Sequence, residues 1–219
     1  MNVDILIEYL PLYKDALILT AKIGWMGIAL SFVIGIICAA IKHFRIPVLR
    51  QIASVYIELI RNTPLLVQLF FIYFALPKIG FSITPEVCGI VGLGLHGGAY
   101  MAETFRSGLE SIAPIQTESA LSLGMTKSQT FTNIIFPQAV SISVPGIVAN
   151  IIFLLKETSV FSVISLMDLM FTAKDLIGMY AKTVECLFML VIFYLIMLLP
   201  VSIIGSIIER RVRRAEFGV

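Results

Sequence analysis

The sequence predicts an all-α integral membrane protein that crosses the bilayer five times, and three observations carry that prediction. The 219 residues are 58% hydrophobic and only 14% charged, with a mean hydropathy of +0.98, whereas a soluble domain is nearer half apolar and a quarter charged. Apolar stretches near the ~20 residues needed to cross a hydrocarbon core recur along the chain. Basic residues cluster at alternate ends of those stretches, as they do in membrane proteins of fixed orientation.

The first span reads as Ala16 to Ile41, the third as Val87 to Phe105 and the fifth as Leu187 to Ile208. Two others are interrupted. Ile52 to Leu76 contains Glu58, Arg61, Asn62, Thr63 and Pro64, and Val140 to Leu155 contains Pro145-Gly146 and runs into Lys156-Glu157-Thr158-Ser159. The first turns, with Asp4, Glu8, Lys14 and Asp15, lack the features of a secretory signal, so the first apolar stretch is expected to be retained. Lys42, His43, Arg45 and Arg50 follow the first span, Arg106 and Lys127 flank the third, and Arg210, Arg211, Arg213 and Arg214 follow the last. The segments Asp4 to Asp15 and Asp168 to Glu185 fall on the other side. The expected orientation is therefore N-terminus outside and C-terminus cytoplasmic.

The net charge of +2 gives no reason to expect a nucleic-acid partner. Cys38, Cys88 and Cys186 stand singly in apolar segments, which argues against a disulfide framework or a metal site and for packing roles. Five helices make a thin bundle, so a second subunit is expected to complete a solute path. Gly89, Gly92, Gly94, Gly97 and Gly98 in the third span allow close approach of another backbone, equally from a partner or from within one bundle.

Polar residues inside the apolar spans can be tested for alignment at helical spacing. Glu58, Arg61, Leu65 and Gln68 align in the second span; His96, Tyr100, Glu103 and Ser107 in the third; Ser143, Gly146, Asn150 and Glu157 in the fourth. Ionised groups at membrane depth cost a few kcal/mol and usually serve a pathway or partner. Glu58, Glu103 and Glu157 offer acceptors for an ammonium group, while Arg61, Lys156, Gln68 and Tyr100 offer donors for a carboxylate, the two ends of a zwitterion. At Asn62-Thr63-Pro64 the expectation is a helix break with Thr63 as N-cap and Pro64 as first helical residue. A simple proline kink with Glu58 paired to Arg61 is the other reading.

Between the third and fourth spans, residues 110–137 read as a cytoplasmic helical hairpin. Pro114 suits a first helical position and Gly124 a helix stop. Thr126-Lys127-Ser128-Gln129 fits a capping box opening a second helix that Pro137 is expected to end. Leu121, Leu123, Met125, Phe131 and Ile134 give the hairpin apolar side chains suited to docking.

This hairpin resembles the cytoplasmic motif of permeases from binding-protein-dependent ABC importers, Glu-Ala-Ala, three residues, Gly, nine residues, Ile-x-Leu-Pro. Glu118-Ser119-Ala120, Gly124, Ile134, Phe136 and Pro137 stand at that spacing, with Ser119 and Phe136 departing from the pattern. The run from Tyr56 to Gln68, Ala99-Tyr100-Met101-Ala102-Glu103 with Arg106 and Gly108, and Leu155-Lys156-Glu157-Thr158-Ser159 are similar to signatures of the histidine, glutamine and arginine permeases. The resemblance implies one permease domain over 1–219 with the type I ABC importer fold, five spans and a coupling helix around Glu118, Ala120, Gly124 and Met125. It implies a second permease subunit, identical or similar, two cytoplasmic ATPase subunits, an extracytoplasmic solute-binding protein and an amino-acid substrate moved across the bacterial cytoplasmic membrane by alternating access. Lys156, Glu157, Thr158 and Ser159 join the candidate pathway on this basis. The chain has no Gly-x-x-x-x-Gly-Lys-Ser/Thr run, so ATP and magnesium are expected on the partner ATPase, with no cofactor, metal or catalytic residue on this chain. A secondary transporter driven by an ion gradient would share the polar stripes and the broken helix, but has no need of the docking hairpin.

Overall fold

The structure is a computed structural model that describes residues 3–217, with the side chains of residues 3, 4, 213 and 215–217 outside that description. Asp4 and Arg213, two of the charges used for orientation, are among those side chains. Every regular element among the described residues is helical. α1 runs over Val3–His43, α2 over Leu49–Arg61 and α3 over Leu65–Phe70, which continues through a wide turn and a tight one to Ile79. Then come α4 over Pro85–Glu110, α5 over Pro114–Ser122, α6 over Lys127–Thr130 and α7 over Phe136–Glu157. A tight 3-10 stretch, Thr158–Ile164, leads to α8 over Leu169–Tyr180 and α9 over Thr183–Phe217.

α4 is the central post, packed along α1 and flanked by α2, α3 and α7. Its glycines make this possible. A Cβ at Gly94 would fall 2.5 Å from Leu30 of α1, and one at Gly97 would fall 2.6 Å from Leu154 of α7. Of the two openings left by the sequence, the glycine stripe therefore packs within the chain's own bundle. Leu69, Leu93, Met101, Leu154, Leu155, Phe161 and Ile164 are fully buried around this post. A second cluster joins α1, α8 and α9, where the Tyr13 hydroxyl donates to the Cys186 carbonyl at 2.7 Å.

Among the described residues three stretches, Ile5–His43, Lys127–Ile164 and Thr183–Val212, are long and apolar enough to cross a bilayer. The pair Leu49–Arg61 and Leu65–Ile79, bent by 107°, makes a fourth if counted as one span. α4 has 26 residues, ~39 Å at 1.5 Å per residue, but its glycines, His96 and Glu103 keep it below the apolarity of the others.

Two expected helix boundaries move. Pro137 does not end a helix, because the chain passes from α6 through a wide π turn at Phe131–Ile135 directly into α7. Pro137 stands at the start of α7, and the wide turn just before it is where the continuing helix accommodates the missing N–H. Thr63 is not an N-cap; its hydroxyl donates back to the Leu59 carbonyl at 2.6 Å, and Pro64 itself takes the cap position with extended ψ of 142°. The bend also divides the expected single face of Glu58, Arg61, Leu65 and Gln68. Glu58 and Arg61 stay exposed on α2, while Leu65 and Gln68 turn inward on α3.

The segment Asp168 to Glu185 holds α8, whose N-cap is Asp168. This carboxylate has no exposed surface and accepts the backbone N–H groups of Met170 at 3.3 Å and Phe171 at 3.0 Å. Burial outweighs those bonds and pushes its pKa up to about 7.

Candidate functional site

The side chain that organises the polar interior is Glu103, near the C-terminal end of α4. Its carboxylate meets three cations from three helices: Lys42 of α1 at 3.0 Å, Arg106 of α4 at 2.7 Å and Arg61 of α2 at 3.6 Å. Arg106 also pairs with Glu110. Glu58 has no ion pair among the described residues, so Arg61 has passed over its own-helix neighbour for an acid on α4. The guanidinium of Arg61 lies over the Tyr100 ring, 5.5 Å from its centroid, within cation–π reach. Arg61 is the most open of the three cations, 43% exposed against 19% for Lys42 and 33% for Arg106. It is therefore the one whose donors are free for an incoming anion.

Two clefts meet at this point. One, of about 420 Å³, runs between α4 and α7 and is lined by Arg61, Tyr100, Glu103, Thr104, Ser143, Gly146 and Asn150 among others. The second, of about 410 Å³, lies against α2 and is lined by Lys42, Ser54, Glu58, Arg61, Asn62, Tyr100 and Glu103. The α7 wall is fixed to α4 by Asn150, whose amide donates to the Thr104 hydroxyl at 2.9 Å, and by the close approach of Gly146 to Thr104. Ser143 donates within its own helix, to the Ala139 carbonyl at 2.7 Å.

Gln68 faces away from both clefts and holds the break. Its amide nitrogen donates to the carbonyls of Ile60 at 3.0 Å and Thr63 at 2.9 Å and lies 3.1 Å from Nδ1 of His96. His96 stacks near Tyr100 and Phe153, so the break, the post and the ring beneath Arg61 form one packed unit.

The remaining candidates lie elsewhere. Lys156, Glu157, Thr158 and Ser159 close the far end of α7; Lys156 is exposed, and Thr158 is fully buried with its hydroxyl bonded to the Leu155 carbonyl at 2.7 Å. In the hairpin, Gly124 adopts φ of +82°, with its N–H bonded to the Leu121 carbonyl and that of Met125 to the Ala120 carbonyl at 3.2 Å. That paired closure requires a left-handed residue, which glycine alone adopts without strain. Thr126 and Gln129 form the capping box. Ala120 is buried, and Glu118, Leu121 and Leu123 are exposed.

Sequence reasoning missed Lys42 and Thr104 as site residues. Lys42 reads in the sequence only as a membrane-flanking charge, whereas Thr104 shares the face of Tyr100, Glu103 and Ser107, and its i+4 spacing from Tyr100 is a signal that finds it.

Comparison with known proteins places this geometry. The family model of binding-protein-dependent transport system inner membrane components matches residues 31–214. The chain belongs to that family. It is 34% identical to the probable glutamine ABC transporter permease protein GlnM of Bacillus subtilis (strain 168), covering 98% of this chain and 100% of the relative. It is 39% identical to the probable glutamine ABC transporter permease protein GlnP of the same organism, over 80% of each chain. Among solved structures it matches that described as an amino acid ABC transporter with histidines, with a TM-score of 0.90, 34% identity and coverage of 96% of this chain and 99% of that one. This membrane component thus has the all-helical architecture of type I ABC permeases and is a multi-pass membrane protein.

Proposed function

We propose that this chain is the transmembrane permease subunit of an ATP-driven importer that moves polar amino acids across the bacterial cytoplasmic membrane by alternating access. In this reading the chain is a single domain with five spans, α4 being the one enclosed by the others, and its N-terminus faces outward. The relatives' names point to glutamine and the matched structure's description to histidine, both polar amino acids. The observation that carries the reading is the half-open Arg61 guanidinium held over Tyr100 at the meeting of two clefts.

Arg61 receives the substrate carboxylate, because its planar fork suits bidentate recognition and its link to Glu103 is the longest of the three. Glu58, which lines the second cleft without an ion pair among the described residues, accepts the ammonium group. Glu103 is committed to cations and positions Arg61. Asn150 and Tyr100 shape the wall, and Lys156, Glu157, Thr158 and Ser159 stand toward the outer entrance. A second permease subunit, identical or similar, completes the path. An extracytoplasmic binding protein delivers substrate, and two ATPase subunits carrying ATP and magnesium receive the hairpin at Glu118, Ala120, Gly124 and Met125. An ion-gradient-driven secondary transporter leaves that hairpin without a purpose.

The test is uptake into proteoliposomes holding this chain with its partner permease, ATPase and binding protein. Arg61→Gln is expected to lower uptake about tenfold, the ~1.4 kcal/mol or more of a lost charged hydrogen bond. Gly124→Asp is expected to abolish both uptake and stimulated hydrolysis while insertion persists. Uptake that continues without the ATPase would replace this reading with the ion-driven one.

A further inference from the structure

The polar face of α2 does not stop at Glu58. Arg50, Ser54, Glu58 and Arg61 follow one another at spacings of four, four and three, which puts them on one helix face, bordered by the buried Ala53 and Ile57. A third cleft, of about 710 Å³, opens at the N-terminal end of this face and is lined by Arg45, Val48, Arg50, Gln51 and Ser54 among others. Ser54 also lines the cleft of Glu58 and Arg61, which in turn shares Arg61, Tyr100 and Glu103 with the cleft against α7. Each cleft thus shares lining residues with the next, and Ser54 is the one that joins the Arg45–Arg50 cleft to that of Glu58 and Arg61.

Two features mark its far mouth. Neither Arg45 nor Arg50 has a carboxylate partner among the described residues, so both guanidinium groups keep their donors. The backbone is strained between them: Arg45 has φ of 51° and Val48 φ of 64°, with the N–H of Leu49 closing on the Pro47 carbonyl at 2.7 Å. A tight three-residue turn with positive φ is rare, and more so at a β-branched residue; such strain persists where the surroundings hold a functional geometry.

We propose that the Arg45–Arg50 cleft is the cytoplasmic release station of the path, where these guanidinium groups receive the substrate carboxylate passed down from Arg61. This rests on the importer reading above. Arg50 lies 11 residues before Arg61, ~16 Å along the helix, with Ser54 and Glu58 between them. Exposed guanidinium groups in water bind a single carboxylate weakly, which suits a station that must let go.

The complete importer is reconstituted in liposomes of zwitterionic lipid alone and in liposomes with added phosphatidylglycerol, as wild type, R45Q/R50Q and R45K/R50K. In both lipids the glutamine pair is expected to cut maximal uptake about fivefold with the half-saturating concentration unchanged, while the lysine pair keeps most of it, since the station acts by charge. Binding-protein-stimulated ATP hydrolysis, expected to survive in both variants, shows that the complex has assembled. Ser54→Val, which makes the junction of the two clefts apolar without touching charge, is expected to show the same loss of maximal rate. Unchanged uptake in both variants overturns the proposal, as does a defect confined to liposomes with phosphatidylglycerol, which would make the cleft a lipid headgroup site. A wild-type complex that accumulates no amino acid removes the importer reading and this inference with it; an active wild type with indifferent variants removes the inference alone.

Discussion

Pro64 and Pro145 each deny a carbonyl four residues earlier its helical N–H, yet one ends a helix in a 107° bend and the other passes unbroken through the middle of α7. The difference lies in what replaces the lost bond. At Pro64 the abandoned Ile60 carbonyl is taken by the Gln68 amide, Asn62 bonds back to the Glu58 carbonyl at 2.7 Å and Thr63 to that of Leu59. At Pro145 no side chain among the described residues captures a helix end, and the helix continues where Gly146 lets Thr104 of α4 pack close. Proline supplies the opportunity; neighbouring side chains decide whether it becomes a break. The interruption before α8 extends the comparison, since there a single buried acid, Asp168, anchors the new helix.

The largest expected effect tests that acid. Its folded pKa of about 7 lies above the ~3.9 of an unfolded aspartate, so the fold favours the neutral form. Stability is then fully present below about pH 4 and is lost as pH rises through 7, by about 4 kcal/mol in all, since each tenfold change in proton concentration between the two values carries ~1.4 kcal/mol. Thermal unfolding in detergent at pH 5 and pH 8 checks this; Asp168→Asn, which can still cap, is expected to flatten the slope, and a wild type already flat would refute the idea. Next comes Gln68→Leu, which leaves the Ile60 and Thr63 carbonyls without that donor and is expected to cost about 3 kcal/mol. If it unfolds no more easily than wild type, side-chain capture is not what holds the bend. The smallest effect belongs to Pro145→Ala, which restores an N–H to an already continuous helix and is expected to change stability by about 1 kcal/mol or less, with uptake intact. A large loss there would make the two prolines alike after all.

Much of this was legible in the sequence because it was local. The hairpin closure at Gly124 and the box at Thr126 and Gln129 follow from residues within a few positions of one another, and both form. The family signatures at Tyr56 to Gln68 and Glu118 to Pro137 led to the same family that the comparisons show. What was illegible depended on partners distant in sequence. Nothing near Arg61 announces that it chooses Glu103 over Glu58, or that Gln68 spends its amide on backbone across a bend. The length of α1 and the presence of α8 were likewise hidden, since polar residues at Glu8, Lys14 and Asp175 break an apolar run without breaking a helix.

The unequal grip of Glu103 has a mechanical consequence. Its link to Lys42 fastens α1 to α4 at 3.0 Å, while the 3.6 Å link to Arg61 holds only the C-terminal end of α2, whose middle is tied to α4 by the Tyr56 hydroxyl on the Leu95 carbonyl at 2.6 Å. A carboxylate arriving at Arg61 competes for that link alone, so occupancy would loosen the Arg61 end of α2 and leave α1 clamped to α4. Under the proposed function the permease would then sense its cargo as slack at the Arg61 end of α2, the helix that also carries Arg50, Ser54 and Glu58.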